Sequence, residues 1–193
     1  ARDNAPGGAG YGGDKAIFAY GYAGANVNMS NLISNSGVVS ADVTGVGTAR
    51  RELTATEYGV GLAIMGYGYV SGAVSMTNLV SYSGVVASDV TGVGSTRYGT
   101  AAARYGGDKA LFGYGSPYPS YSSHTNLVSN VGVVSADVTG VGTARQRLAA
   151  AAYGGDKALF GYGESDGGGT LNTQTNLVSN TGVVATDTAG VGT

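Results

Sequence analysis

The chain of 193 residues has no cysteine, no tryptophan, one histidine and three prolines. Without cysteine there can be no disulfide, no thiolate nucleophile and no cysteine-ligated metal, while the redox compartment stays open. A single imidazole, His124, cannot assemble the several ligands that hydrolytic zinc sites use. Charge is scarce too: Asp, Glu, Lys and Arg make up 11% of the chain, with a formal net charge of −2. No basic run exists to track phosphates, so nucleic acid is not an expected partner. No apolar run reaches the length of a membrane-spanning helix, and membrane insertion is not expected. The first residues, "ARDNAPGG", carry no signal-peptide pattern and do not start with Met. A processed product or a segment of a longer array is the expectation.

What the chain does have is glycine (36 residues), tyrosine (14) and a 42% apolar content. The abundance of Val, Thr and Tyr indicates a folded, β-rich chain rather than a disordered one. "YGGDKALFGYG" occurs at 105–115 and again, unchanged, at 153–163. Weaker copies are "YGGDKAIFAYG" (11–21) and "YGVGLAIMGYG" (58–68), so the leading tyrosines lie 47, 47 and 48 positions apart. "GVVSADVTGVGTAR" (37–50) returns at 132–145, with variants at 84–97 and 182–193. One unit is written four times.

Each unit opens with small apolar residues, for example Leu148 to Ala152, then a Gly-Gly turn and the run Lys157 to Tyr162. After a loop come "TNLVSN" (175–180), a turn ending in Gly182, and "VVATDT" (183–188). Short β-branched and aromatic runs bounded by Gly, Asn and Ser predict a four-stranded antiparallel meander, a to d, with almost no helix. Strand b has no polar alternation and needs cover on both faces. Sheets stacked around an axis supply that cover, and strand a, built of Ala and Gly, suits the crowded centre. The expected fold is therefore an all-β, four-bladed β-propeller in one repeat domain (1–193), with blades near 1–48, 49–95, 96–143 and 144–193. A stacked β-solenoid is the structural rival. Phe18, Phe112 and Phe160, with Met65 at the equivalent place, are expected to be buried between blades.

The order Arg145, "LAAAA", "DKALFGYG", loop, "TNLVSN", "GVVATD" resembles the kelch-type (galactose-oxidase-like) propeller repeat across all four units. The wording departs from that family: Gly-Tyr-Gly stands where it has Gly-Gly, and its outer-strand Trp is absent. The "DKALFGYG … TNLVSN" style is also similar to repeat segments of large bacteriophage virion and tail-fibre proteins. That likeness implies a source, not a mechanism.

Enzymatic readings find little support. Copper chemistry of the galactose-oxidase kind would need Cys, His and Tyr together. "SADVTG" (40–45) is similar in part to a sialidase Asp-box but lacks its closing aromatic. Asp14-Lys15, Asp108-Lys109 and Asp156-Lys157 sit at the a–b turn and are absent together from the second copy, as a structural turn or ion pair allows. Arg50, Arg97 and Arg145 open strand a, with Arg2 in the same place in the first copy. The plainer reading pairs them between blades with Asp42, Asp89, Asp137 or Asp187; the sharper one makes a guanidinium ring ready for an anionic ligand.

The b–c loops are the variable part: "YAGANVN" (22–28), "YVSGAVS" (69–75), "SPYPSYSSH" (116–124) and "ESDGGGTLNTQ" (164–174). Tyr22, Tyr69, Tyr118, Tyr121 and His124, together with Arg50, Arg97 and Arg145, are the candidate partner-binding residues; drift in unconstrained loops would give the same variability. The expected function is a non-enzymatic structural and recognition module of a virion, tail fibre or extracellular assembly. Its partners would be protein subunits or a surface glycan, with no cofactor or metal. The alternative is a lectin-like carbohydrate-binding propeller. Because the cut falls between strands d and a, closure between copies one and four is expected to be the weakest seam.

Overall fold

Four short hairpins, each turned by "Gly-Gly" or its variant "Gly-Val-Gly", set the pattern of the computed structural model, which describes residues 1–165 and 169–191. In the first unit β1 (Gly7–Tyr11), β2 (Lys15–Tyr22) and β3 (Asn26–Ile33) form an antiparallel sheet in that order. The second unit contributes β4 (Thr54–Tyr58), β5 (Leu62–Gly66) and β6 (Thr77–Val80). β7 (Ala101–Tyr105), β8 (Lys109–Gly113) and β9 (Thr125–Val128) make the third. The fourth holds β10 (Ala149–Tyr153), β11 (Lys157–Gly161) and β14 (Thr175–Val178), with a small hairpin, β12 (Glu164–Ser165) and β13 (Thr170–Leu171), inserted in its b–c loop. Register repeats from unit to unit: Tyr11 faces Lys15, Tyr58 faces Leu62, Tyr105 faces Lys109 and Tyr153 faces Lys157. No helix occurs among the described residues. The all-β expectation holds.

The fourth strand is a correction. Segment d touches strand c at two isolated bridges per unit, such as Thr77 with Val90 and Val80 with Val86, and forms no ladder. Backbone bonds still join the two, Val90 N to the Thr77 carbonyl (2.8 Å) and Ala87 N to the Leu79 carbonyl (2.9 Å), and side chains add to them. The amide of Asn78 donates to the Ala87 carbonyl (3.0 Å) and to Asp89 (2.9 Å), and Asn126 and Asn176 repeat this with Ser135 and Asp137, and with Ala185 and Asp187. Each sheet is thus three-stranded with a tethered outer segment.

Consecutive sheets pack face to face, first on second, second on third, third on fourth. Strand b of each later sheet presses an apolar side chain onto a small residue of the earlier one. A Cβ added at Gly66 would meet the Phe112 ring at 2.8 Å, and one at Gly113 would meet Phe160 at 2.5 Å, so only glycine fits beneath these rings. At the first seam Ala19 and Met65 occupy the same places, and both are fully buried. Backbone bonds stitch the seams in register: Gly21 N to Arg50 O (2.9 Å), Gly68 N to Arg97 O (3.0 Å) and Gly115 N to Arg145 O (2.8 Å). A second series runs from Gly12 N to Gly61 O, Gly59 N to Asp108 O and Gly106 N to Asp156 O.

Phe112, Phe160 and Met65 are buried as expected. Phe18 is not. It is 47% exposed, because no sheet covers the outer face of the first unit. On the opposite end Tyr153, Tyr162 and Leu177 are exposed too. Among the described residues no backbone bond of the internal seam series joins the fourth sheet to the first.

Truncating Phe112 to Ala should therefore cost ~3–5 kcal/mol, as for other buried aromatics, while Phe18→Ala should cost less than about 1 kcal/mol. Denaturant titration of the two variants checks the contrast. Equal losses would place Phe18 in a packed interface.

Candidate functional site

The three arginines that open strand a lie inside the protein, fully buried. Arg50 donates from Nε to the Tyr67 carbonyl (2.9 Å), and from its terminal nitrogens to the Thr48 carbonyl (3.2 Å) and Asn78 Oδ1 (2.7 Å). Arg145 repeats the set on Tyr162, Thr143 and Asn176. Arg97 is turned slightly: one terminal nitrogen serves both the Tyr114 and His124 carbonyls, the other bonds Asn126, and Nε has no partner. Arg2 holds Tyr20, Met29 and Asn31 in the same manner.

Ion pairing follows, but within units rather than between them. Arg50 lies 3.7 Å from Asp89, Arg97 3.9 Å from Asp137 and Arg145 3.8 Å from Asp187. Asp42 instead accepts from Asn31 (2.8 Å). What crosses each seam is a cation over an aromatic face: Arg50 sits 4.4 Å from the Tyr20 ring centre, Arg97 4.8 Å from Tyr67, and Arg145 4.4 Å from Tyr114. A guanidinium ring open to an anionic ligand is therefore excluded for these three. They are structural.

Burial pushes the Tyr114 phenol up to about 12 and raises Tyr20 and Tyr67 as well, with the nearby guanidinium opposing. Burial acts against the charged forms of Asp89, Asp137 and Asp187. Hydrogen bonds from Thr48, Ser95 or Thr143 and from the adjacent Asn, helped by the arginine, outweigh it and hold all three below the usual carboxylate range.

The a–b turn pairs remain on the surface. Lys15 lies 3.8 Å from Asp14 and Lys157 3.2 Å from Asp156, with all four side chains solvated. Asn35 and Asn130 donate to Asp14 and Asp108 across the turn.

The tyrosines of the b–c loops divide into two groups. Arg51 lies over the rings of both Tyr22 (5.3 Å) and Tyr69 (4.7 Å), and Tyr69 meets Tyr98 edge to face at 5.4 Å. Tyr118, 74% exposed, joins Tyr69, Tyr98, Arg51, Glu52 and Arg147 around a cavity of about 230 Å³. Tyr121 and His124 line a separate recess with Pro117 and Ser122, where His124 Nδ1 is 3.2 Å from Ser122 Oγ. Of loop 164–174, residues 166–168 lie outside the described residues.

Sequence reasoning missed Arg51, Glu52, Tyr98 and Arg147. They are the residues between the opening arginine and strand a, and they differ in every copy, a contrast read only in the b–c loops. Glu52 and Arg147 also edge a larger cavity of about 530 Å³ where the starts of β1 and β4 meet Gly99 and Thr100. Glu52 lies 3.9 Å from Arg51 and 3.7 Å from Arg147, and Arg147 bonds Glu164 at 2.9 Å. Glu52 Oε2 and Thr100 Oγ1 are buried without hydrogen bonds. The arrangement offers charge of both signs beside flat aromatic faces. Flat rings beside hydrogen-bonding charges are chemically complementary to polar, hydroxyl-bearing or peptidic groups, and among the lining residues no nucleophile is paired with a base. Among the described residues no group of three or more His, Cys, Asp or Glu could hold a metal.

Because the three aspartates have depressed folded-state values, their stabilisation is present above the unfolded carboxylate range and is lost as pH falls through the folded values. Melting temperature should thus drop on acidification below pH ~4. Asp137→Asn should be less stable at neutrality and show a shallower acid limb. A parallel acid limb in that variant would exclude Asp137 as a source.

No family model matches the sequence, and no curated protein matches it. Among solved structures, that of YjhT superposes with a TM-score of 0.62 at 13% identity, over 84% of this chain and 52% of that one. The chain spans about half the length of that neighbour. At this identity the likeness concerns the fold alone: the chain is an all-β protein of small antiparallel sheets similar in arrangement to YjhT.

Proposed function

We infer that the protein is a non-enzymatic structural and recognition module of a virion, tail fibre or extracellular assembly, built as an open arc of four kelch-like propeller blades. Its partners are protein subunits or a surface glycan, met through the b–c loops. The observation that carries this reading is the rim of Tyr22, Arg51, Tyr69 and Tyr98, one guanidinium between two rings with a third ring edge to face, across three units of an otherwise copied scaffold. Copying preserves what packs; the rim is where the units differ and where Tyr118 stands free.

A lectin-like reading is favoured by one feature, the pairing of Tyr69, Tyr98 and Tyr118 with Glu52 and Arg147 in one cavity. Flat rings beside charged hydrogen-bonding groups suit a sugar's apolar face and its hydroxyls. A glycan array probed with the purified chain separates the two. An assembly module that meets protein subunits through these loops should show no discrete sugar specificity. Selective binding of one glycan, lost in both Tyr98→Ala and Tyr118→Ala, would decide for the lectin.

A further inference from the structure

One place after the rim, four residues line the large cavity, alike in backbone and unlike in chemistry. Asn4, Glu52, Gly99 and Arg147 hold the same position in the four units, each with a left-handed φ between 51° and 60°. Their backbones are joined in sequence. Glu52 N–H donates to the Asn4 carbonyl (3.0 Å), Gly99 N–H to that of Glu52 (3.1 Å), and Arg147 N–H to that of Gly99 (2.8 Å). The cavity of about 530 Å³ that they border is of ordinary size for a small-molecule pocket.

Two side-chain oxygens of its lining residues, Glu52 Oε2 and Thr100 Oγ1, are buried and bond nothing. Thr100 is only 8% exposed, and its methyl group lies against Gly115, so the hydroxyl is the branch without a duty. Both residues belong to units whose sheets are packed between two others. Buried polar groups are nearly always hydrogen-bonded, so two unpartnered oxygens beside one cavity are a demand for donors. The last torsion of a glutamate is soft, and Glu52 can turn either oxygen to the cavity.

The surrounding charges decide the class of donor. Glu52 has Arg51 on one side (3.9 Å) and Arg147 on the other (3.7 Å), and Arg147 is bonded in turn to Glu164 (2.9 Å). Two guanidiniums and two carboxylates leave no net charge. A cation reaching Glu52 would meet both guanidiniums, and an anion reaching Arg147 would meet both carboxylates. Hydroxyl groups meet neither repulsion, and Pro6, Leu53 and Leu148 give an apolar wall for a C–H face. We propose that this cavity binds one neutral polyhydroxyl unit, either a free sugar or the end unit of a glycan. Glu52 accepts from one hydroxyl, Thr100 exchanges a hydrogen bond with a second, and Arg147 donates to a third. The proposal rests on the lectin-like reading above and adds the class of sugar and the residues that anchor it. Tyr69, Tyr98 and Tyr118, in the adjoining cavity, then meet the next unit of a glycan.

Saturation-transfer NMR and calorimetry on the purified chain test it, with neutral monosaccharides as probes and glucuronate and glucosamine as charged controls. A neutral sugar should bind, and both controls should bind more weakly. Thr100→Val removes a hydroxyl that bonds nothing, so the melting temperature should hold or rise. Its sugar affinity should nonetheless fall roughly tenfold, the scale of one hydrogen bond, and Glu52→Gln should weaken binding at least as much. A wild type that binds no neutral sugar at millimolar concentration, or binding unchanged in both variants, overturns the proposal. Tyr98→Ala separates cavity from rim. Free-sugar binding kept in Tyr98→Ala and lost in Thr100→Val upholds the cavity, whereas glycan binding lost in Tyr98→Ala and kept in Thr100→Val leaves the lectin-like reading standing and removes the cavity. Free sugar bound without any array glycan assigns the site to a soluble sugar; glycans bound only where the same unit is terminal assign it to a chain end.

Discussion

The tyrosine at the end of strand b in each of the first three units, Tyr20, Tyr67 and Tyr114, is held from two sides, and the stacking of the sheets depends on that grip. Tyr20, Tyr67, Tyr114 and Tyr162 all have φ between 61° and 63°, a left-handed conformation that a bulky residue adopts only when its surroundings impose it. The glycine that follows each, at φ 96° to 108°, completes the sharp turn out of the strand. The carbonyl so exposed is taken by the arginine of the same unit, and the ring is turned outward to meet the arginine of the next. One residue thereby links the hydrogen bonds within a sheet to the packing between sheets. A buried guanidinium is costly unless its donors are satisfied. Here a backbone carbonyl, an Asn side chain and a nearby Asp share that task, while the aromatic face adds up to ~2 kcal/mol in a desolvated setting.

That economy leaves the rim free to vary. Arginine at the opening position is spent on the interior, whereas the residue after it, Arg51, Tyr98 or Gln146, faces the b–c loops and has no packing duty repeated from unit to unit. Recognition chemistry thus collects one position away from the most constrained residue in the unit. The rim and the large central cavity share Glu52 and Arg147, so the two recesses are electrostatically one place.

Much of this was legible in the sequence because copying exposes constraint. The four-fold beat, strands a, b and c, the Gly-Gly turns and the burial of Phe112 and Phe160 all follow from residues kept in place. Segment d was read as a full strand because "VVSADV" has the composition of one; it bonds strand c through its backbone only at separate points, such as Val90 N to Thr77 O and Ala87 N to Leu79 O, with the Asn side chain bonding it between them. The open ends could not be read either. Phe18 looks identical to Phe112 along the chain, and only the presence or absence of a neighbouring sheet distinguishes them. The arginines were correctly matched to aspartates but across the wrong boundary, since the tyrosine that bridges units gave no charge signal.

The exchange of Gly and Phe for Ala and Met at the first seam fixes the order in which the units can stand. A phenyl ring in the place of Met65 would collide with the methyl group of Ala19, and methionine over Gly66 or Gly113 would leave a hollow. The second unit therefore fits behind the first and poorly behind any other, while the third and fourth could trade places at this contact. Four nearly identical units thus carry an address in two side chains, and a chain assembled from them by duplication cannot be reshuffled at that point without changing both members at once.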